Sequence, residues 1–187
     1  LMGYDNKMIR RFTEMAVQNP KRVVFAEANH ANMLSAAVTA YQEGICFPIL
    51  LGNTDYIHSV AEQNGLNLDG LEIVNLRSGE ETERREKYAK ILAQKRQREG
   101  ITLDEAREKM FDRNYFGMMM VEVGDADAFI TGTYTKYTET IQIAKDVIGI
   151  REGHKHFGAM HIMNTKKGTY FLADTLINRH PDSETLV

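Results

Sequence analysis

The fold is decided by three short apolar segments, Arg22-Val-Val-Phe-Ala26, Phe47-Pro-Ile-Leu-Leu51 and Leu71-Glu-Ile-Val-Asn75. The first is apolar and rich in β-branched residues at consecutive positions, as expected of a strand that is buried on both faces of a parallel sheet. Each is too short for a helix with its own apolar face. We therefore predict three strands within residues 22–75.

The segments between these strands carry helical signals. Between the first two, apolar residues recur on one helical stripe and Gly44 follows at the position of a helix C-cap. Between the second and the third, Gly52-Asn53-Thr54 forms a turn into a helix that extends to about Asn64. The pattern predicts a βαβαβ unit.

Further helices and strands follow the same alternation. We predict helices over Asn6–Asn19, Glu80–Glu99, Arg113–Val123 and Lys136–Ile148, a capping box at Thr102-Leu-Asp-Glu105, and strands at Ala128–Thr131, His156–Met163 and Thr169–Ala173. A last helix begins near His180-Pro-Asp-Ser-Glu184. Such alternation predicts an α/β fold, a three-layer αβα arrangement with a mainly parallel sheet. The charged helix near 80–99 and the helix with three consecutive methionines are predicted subunit contacts.

The composition excludes several classes of protein. Of 187 residues, 43% are hydrophobic and 26% charged, and the formal net charge is −3, which fits a globular protein without a membrane span. A near-neutral charge without Lys/Arg blocks predicts no nucleic-acid or membrane partner. A single cysteine, Cys46, and the lack of a signal-peptide pattern indicate a cytoplasmic location.

Candidate ligand-binding segments follow the predicted strands, because open α/β sheets bind ligands beyond the carboxyl ends of their strands. These segments are Glu27–His30, Gly52–Thr54, Arg77–Gly79 and Thr131–Lys136. None contains a G-x-G-x-x-G motif or a G-x-x-x-x-G-K-[ST] loop, so nucleotide binding through those motifs is not expected.

The most polar of these segments is Thr131-Gly-Thr-Tyr-Thr-Lys136. Its hydroxyls, its backbone N–H groups and Lys136 at a helix start suit a phosphate or a CoA-type anion. Alternatively, the threonines only cap the following helix, since Thr is a common N-cap residue. Both interpretations stay open at this point.

Other residue types suggest chemistry less strongly. His154, His156 and His161 would supply metal ligands only if further ligands converged on them, so solvated histidines are the simpler interpretation. Cys46 beside a strand start is expected in the core, and Met118-Met119-Met120 is expected in a core or an interface.

Six sequence blocks in a fixed order resemble the phosphate acetyltransferase/butyryltransferase family. They are Arg22-Val-Val-Phe-Ala-Glu27, Glu43-Gly with Pro48-Ile-Leu-Leu-Gly52, Gly100-Ile-Thr102 with Glu105-Ala106, Asn114-Tyr-Phe-Gly-Met-Met-Met120, Gly124-Asp-Ala-Asp127 with Thr131-Gly132, and Phe171-Leu-Ala-Asp174 with Asn178 and Pro181. The resemblance implies a two-domain acyltransferase-like fold with a cleft between its domains. Residues 1–149 would form the first α/β domain, and residues 150–187 would begin the second, left incomplete.

Within that family, the segment from Thr133 to Thr140 and Thr169-Tyr-Phe-Leu-Ala-Asp-Thr175 look more like the C-terminal phosphotransacetylase-like domain of bacterial NADP-dependent malic enzymes. Gln142 stands where the stand-alone transferases carry an arginine. The resemblance implies a regulatory, oligomer-forming domain that binds acetyl-CoA or a related CoA ester. NADP and a divalent metal would act in another part of the parent enzyme, which converts malate to pyruvate. Alternatives are a fragment of a genuine acyltransferase and a ligand-silent oligomerisation domain.

The resemblance also implies which residues bind the ligand. Arg96 matches a substrate-binding arginine of the family by its place before Gly100. The other candidates lie after two predicted strands: Glu27, Thr131, Gly132, Thr133 and Lys136. The family's catalytic Ser-Arg and Asp fall beyond this chain, so we expect no catalytic residue and no metal or other cofactor in this segment.

Overall fold

A computed structural model describes residues 6–165, 167–178 and 183. The chain divides into two compact units, Leu1–Ile148 and Gly149–Val187. That the second unit begins a larger domain stays a prediction.

The first unit is built on a four-stranded parallel sheet in the order β3-β2-β1-β4. Its strands are β1 (Lys21–Phe25), β2 (Cys46–Leu51), β3 (Glu72–Val74) and β4 (Ala128–Ile130). Val24 pairs with Ile49 on one side of β1 and with Phe129 on the other. The predicted strands are confirmed within one or two residues, as is the α/β fold with its mainly parallel sheet.

Seven helices and one short 3-10 helix are described in this unit. They are α1 (Lys7–Gln18), α2 (Ala31–Gln42), α3 (Thr54–Gln63), α4 (Thr82–Arg96), the 3-10 helix (Gln97–Glu99), α5 (Leu103–Lys109), α6 (Arg113–Glu122) and α7 (Tyr137–Val147). Local caps explain several starts: Asn6 accepts from the backbone of Met8 and Ile9, and Thr102 and Glu105 form the predicted capping box.

The two faces of the sheet are covered by different helices. Because successive residues of a strand point to opposite faces, Val24 and Leu51 pack with α4–α7, whereas Phe25 and Leu50 pack with α2 and α3. The result is the predicted three-layer αβα arrangement.

The predicted subunit contact of the methionine-rich helix is corrected for its three methionines, whereas a subunit contact made by the charged helix stays a prediction. The methionine-rich helix α6 buries Met118, Met119 and Met120 in the core, so these residues cannot form a subunit contact. The charged helix α4 buries Tyr88 completely, and the Tyr88 hydroxyl donates to Asp125. Burial and the Asp125 carboxylate together raise the pKa of Tyr88.

Cys46 is buried as expected, which raises the pKa of its thiol.

The second unit contains an antiparallel hairpin of β5 (Met160–Thr165) and β6 (Gly168–Ala173). The first of these strands starts four residues later than predicted. The preceding segment is held by local bonds instead, since the His154 N–H donates to the Arg151 carbonyl and the Asn178 amide donates to the Phe157 carbonyl. The helix predicted near residues 180–184 lies outside the described residues apart from position 183.

None of the helices that the structure describes is long and apolar enough to cross a bilayer.

Gly117 allows α6 to lie directly on β4. A Cβ atom at this position would stand 2.5 Å from the Phe129 ring and 3.0 Å from a Leu51 methyl group. We expect Gly117→Ala to lower the free energy of unfolding by about 1–3 kcal/mol, because the packed core must shift to admit the methyl group. Urea unfolding measures the change. Gly79→Ala is the matched control, since a Cβ there meets no atom within 4 Å; equal stability of the two variants would contradict the expectation.

Candidate functional site

The sheet has a topological switch point between β1 and β4. The chain passes from β1 to β2 to β3 on one side and returns to place β4 on the other side of β1. In open α/β sheets, the crevice beyond the carboxyl ends of two such strands is the usual ligand site. Residues 26–30 and 131–136 form this edge of the sheet, and we call them the switch-point crevice.

Glu27 joins the two loops of the switch-point crevice. One carboxylate oxygen accepts from the Thr133 N–H at 3.0 Å, and the other accepts from the Tyr134 N–H at 3.0 Å and the Thr135 hydroxyl at 2.8 Å. The residue is only 2% exposed. Burial raises the pKa of Glu27, but the bonds from Thr135, Tyr134, Thr133 and Gly132 outweigh it and leave the pKa below its ordinary value. Glu27 is therefore ionised at neutral pH.

This geometry changes the interpretation of the threonine-rich loop. Backbone N–H groups that the sequence offers to an external anion already bind the chain's own carboxylate. The alternative that threonines cap α7 is wrong, because the N-cap residue is Lys136 and it makes no side-chain cap bond. Thr131 donates to the buried Asn114 at 3.0 Å. Gly132 takes a φ of +112°, a conformation that favours glycine.

Arg113 contacts the switch-point crevice, and sequence reasoning did not single it out. Its guanidinium donates to the Asn29 side chain at 2.6 Å and to the Ala26 carbonyl at 3.4 Å. The His30 ring stacks on Tyr134 with centroids 3.5 Å apart. A usable signal existed: a helix that precedes a parallel strand starts at the carboxyl edge of the sheet, so the first residue of α6 had to lie near the site.

Arg96 lies elsewhere. Its guanidinium donates to the carbonyls of Asp146 at 2.7 Å and Lys145 at 2.5 Å, at the end of α7. Helix α7 has 11 residues and is about 16 Å long, and the threonine-rich loop precedes its opposite end. The structure thus brings together five of the six predicted ligand-binding residues and leaves Arg96 apart.

The end of α7 is held by two adjacent basic residues. Besides the two bonds from Arg96, the Lys95 ammonium donates to the carbonyls of Val147 at 2.7 Å and Ile148 at 3.0 Å. The last carbonyls of a helix have no partner within the helix, and these four all accept from α4. Arg96 therefore has a clear structural role.

Gln142 is engaged within α7. Its side-chain amide donates to Asp146 at 2.9 Å, and the other Asp146 oxygen accepts from the Tyr115 hydroxyl at 2.5 Å. Burial and this bond raise the pKa of Tyr115. The position at which the resemblance expects an arginine therefore holds a neutral amide with a local partner.

His161 has a hydrogen-bonding partner in the second unit. The His161 ring lies 2.7 Å from the Thr175 hydroxyl. In the part of the chain that the structure describes, no group of three or more His, Cys, Asp or Glu side chains could hold a metal ion.

We expect Glu27→Gln to lower the free energy of unfolding by about 1–3 kcal/mol at neutral pH, because the new NH₂ group faces N–H donors. Folding lowers the pKa of Glu27. Its contribution is therefore complete above the unfolded pKa of about 4.3 and is lost as the pH falls through the folded pKa. Urea unfolding from about pH 7 to about pH 3 should show the two proteins converging in acid. Glu62→Gln, on the exposed side of α3, is the control; a Glu27→Gln effect that is no larger, or that persists in acid, would refute this role.

We expect Arg96→Met to lower the free energy of unfolding by about 1–3 kcal/mol, since two helix-end carbonyls lose their charged donor. Arg98→Met removes the same side chain from an exposed neighbouring position and should change stability by less than about 0.5 kcal/mol. Chemical unfolding of both variants decides the matter, and equal stabilities would show that Arg96 does not hold the end of α7.

Comparisons with known proteins agree with the geometry of the sheet. A profile of the family described as phosphate acetyl/butaryl transferase matches residues 7–187. The NADP-dependent malic enzyme of Escherichia coli (strain K12) is 33% identical over 185 residues, which are 97% of this chain and 24% of that protein. The phosphate acetyltransferase of Thermoanaerobacterium thermosaccharolyticum is 33% identical over 186 residues, which are 96% of this chain and 55% of that protein.

A solved structure shares the fold. The phosphotransacetylase from Streptococcus pyogenes superposes with a TM-score of 0.83 at 24% identity, covering 96% of this chain and 54% of that one. The chain thus spans about half of the length of these two transferases and about a quarter of the length of the malic enzyme. Its sequence and its sheet together place it in a known group: the chain belongs to the phosphate acetyl/butaryl transferase family.

Proposed function

We propose that this chain is the phosphotransacetylase-like regulatory and oligomerisation domain of an NADP-dependent malic enzyme. It binds acetyl-CoA or a related CoA ester as an effector and does not itself transfer acyl groups. The parent enzyme oxidatively decarboxylates malate to pyruvate in the cytoplasm, using NADP and a divalent metal that are bound outside this chain. Acetyl-CoA then changes the rate of that reaction.

The proposal rests on the bonding of Arg96 and Gln142, the two positions at which the resemblance expects ligand-binding arginines. Arg96 is bonded to the carbonyl end of α7, and Gln142 is a neutral amide bonded to Asp146. A transferase must hold inorganic phosphate or an acyl phosphate firmly, which bidentate guanidinium groups do and an amide cannot. The loss of that clamp favours binding over catalysis.

The switch-point crevice supports effector binding. It lies where α/β sheets place their ligands, and Glu27 holds its two loops together without exposing its own charge. Lys136 is exposed there, and its ion pair with Glu139 is 3.3 Å long between two exposed side chains. Such pairs are weak, so the ammonium group is available to an anionic ligand.

A second candidate is a fragment of a genuine phosphate acetyltransferase. It is favoured by the equal similarity of this chain to a malic enzyme and to a phosphate acetyltransferase. Under that function, another cation of the native polypeptide would have to replace the arginine that Gln142 lacks.

The test compares binding with turnover in the native polypeptide that contains this chain. We expect acetyl-CoA to bind, to change the rate of malate oxidation, and to give no acetyl phosphate when inorganic phosphate is added. The Thermoanaerobacterium thermosaccharolyticum phosphate acetyltransferase is the positive control for acetyl phosphate formation. Acetyl phosphate formation by this polypeptide would establish the second candidate. A rate of malate oxidation that does not change when acetyl-CoA is added would reject effector binding.

A further inference from the structure

Tyr134 combines high exposure with a fixed position. The residue is 54% exposed, yet its ring stacks on His30 with an interplanar angle of 18° and its backbone N–H donates to Glu27. A ring that is already ordered loses little conformational entropy when a ligand contacts it. Tyr134 is thus a preorganised aromatic surface in the switch-point crevice.

The stacking geometry decides which part of the ring is available. His30 covers one face of Tyr134 at a centroid distance of 3.5 Å, so the exposure of the ring belongs to the opposite face and the edge. An exposed aromatic face supported from behind is the arrangement on which proteins stack nucleobases, because every base has a flat π surface.

A cation lies two residues further along the same loop. The Lys136 side chain is 81% exposed and pairs only weakly with Glu139. The Glu27 carboxylate, which also lies in the switch-point crevice, is buried, and four donors satisfy its charge. A flat ring beside an available ammonium group fits a ligand that carries a nucleobase close to a phosphate.

We propose that Tyr134, supported by His30, stacks on the adenine ring of a CoA ester, and that Lys136 binds the phosphate next to that ring. The inference rests on the proposed binding of CoA esters and says which end of the ligand the chain recognises. The nucleotide half of the ligand is selected here, and the acyl-pantetheine arm makes no contact with these residues.

Calorimetric titration of the chain with acetyl-CoA tests the proposal. We expect Tyr134→Leu to weaken binding about tenfold, the loss typical of one stacked base, whereas Tyr134→Phe stays within about twofold of the wild type. Phe47→Leu is the matched control, because Phe47 is 53% exposed at the opposite, amino edge of the sheet. Binding by Tyr134→Leu that equals binding by the Phe47→Leu control would overturn the stacking role.

Ligand fragments test the same point on the wild-type chain, so the result does not depend on how a variant folds. The bisphosphorylated adenosine half of CoA should bind and compete with acetyl-CoA, and acetyl-pantetheine should not compete. Competition by acetyl-pantetheine alone would place recognition on the other half of the ligand and reject the inference while leaving the proposed function intact. If acetyl-CoA itself does not bind, the proposed function fails, and the inference fails with it.

Discussion

The Glu27 carboxylate is the interaction on which the edge of this fold depends. It connects the loop after β1 to the loop after β4, two segments more than 100 residues apart in the chain, through bonds to Thr133, Tyr134 and Thr135. An ionised group with 2% exposure is tolerated only when donors surround it. The crevice therefore has a fixed shape before any ligand arrives, and its N–H groups serve the fold.

A second constraint acts at the other end of α7. Lys95 and Arg96 donate to four successive carbonyls, so the helix is fixed at its end by α4 and at its start by the loop that Glu27 holds. The Arg96 guanidinium cannot readily bind a phosphate while it donates to the carbonyls of Lys145 and Asp146. Arg96, which matches a ligand-binding arginine of the family by position, stabilises the end of α7 in this structure.

The sequence predicted the elements better than their contacts. The positions of the four parallel strands, the Thr102 capping box and the α/β class follow from local patterns of apolar and capping residues, and the structure confirms them. The same patterns left open whether the methionines of α6 fill the core or an interface, because periodicity shows that a face is apolar and does not show what covers it. Arg113 was missed because its partners, Ala26 and Asn29, lie in the loop after β1, more than 80 residues earlier in the chain.

The sequence by itself determined the order of strands and helices, the family, and the loops that could bear a site, since these depend on residues that are neighbours in the chain. Only the tertiary structure decided what those residues do. It placed the loop N–H groups against the Glu27 carboxylate, the Arg96 guanidinium at the end of α7, and the Tyr134 ring on His30. Such assignments depend on which groups meet after folding, and a hydrogen bond between positions 27 and 134 leaves no local pattern in the chain.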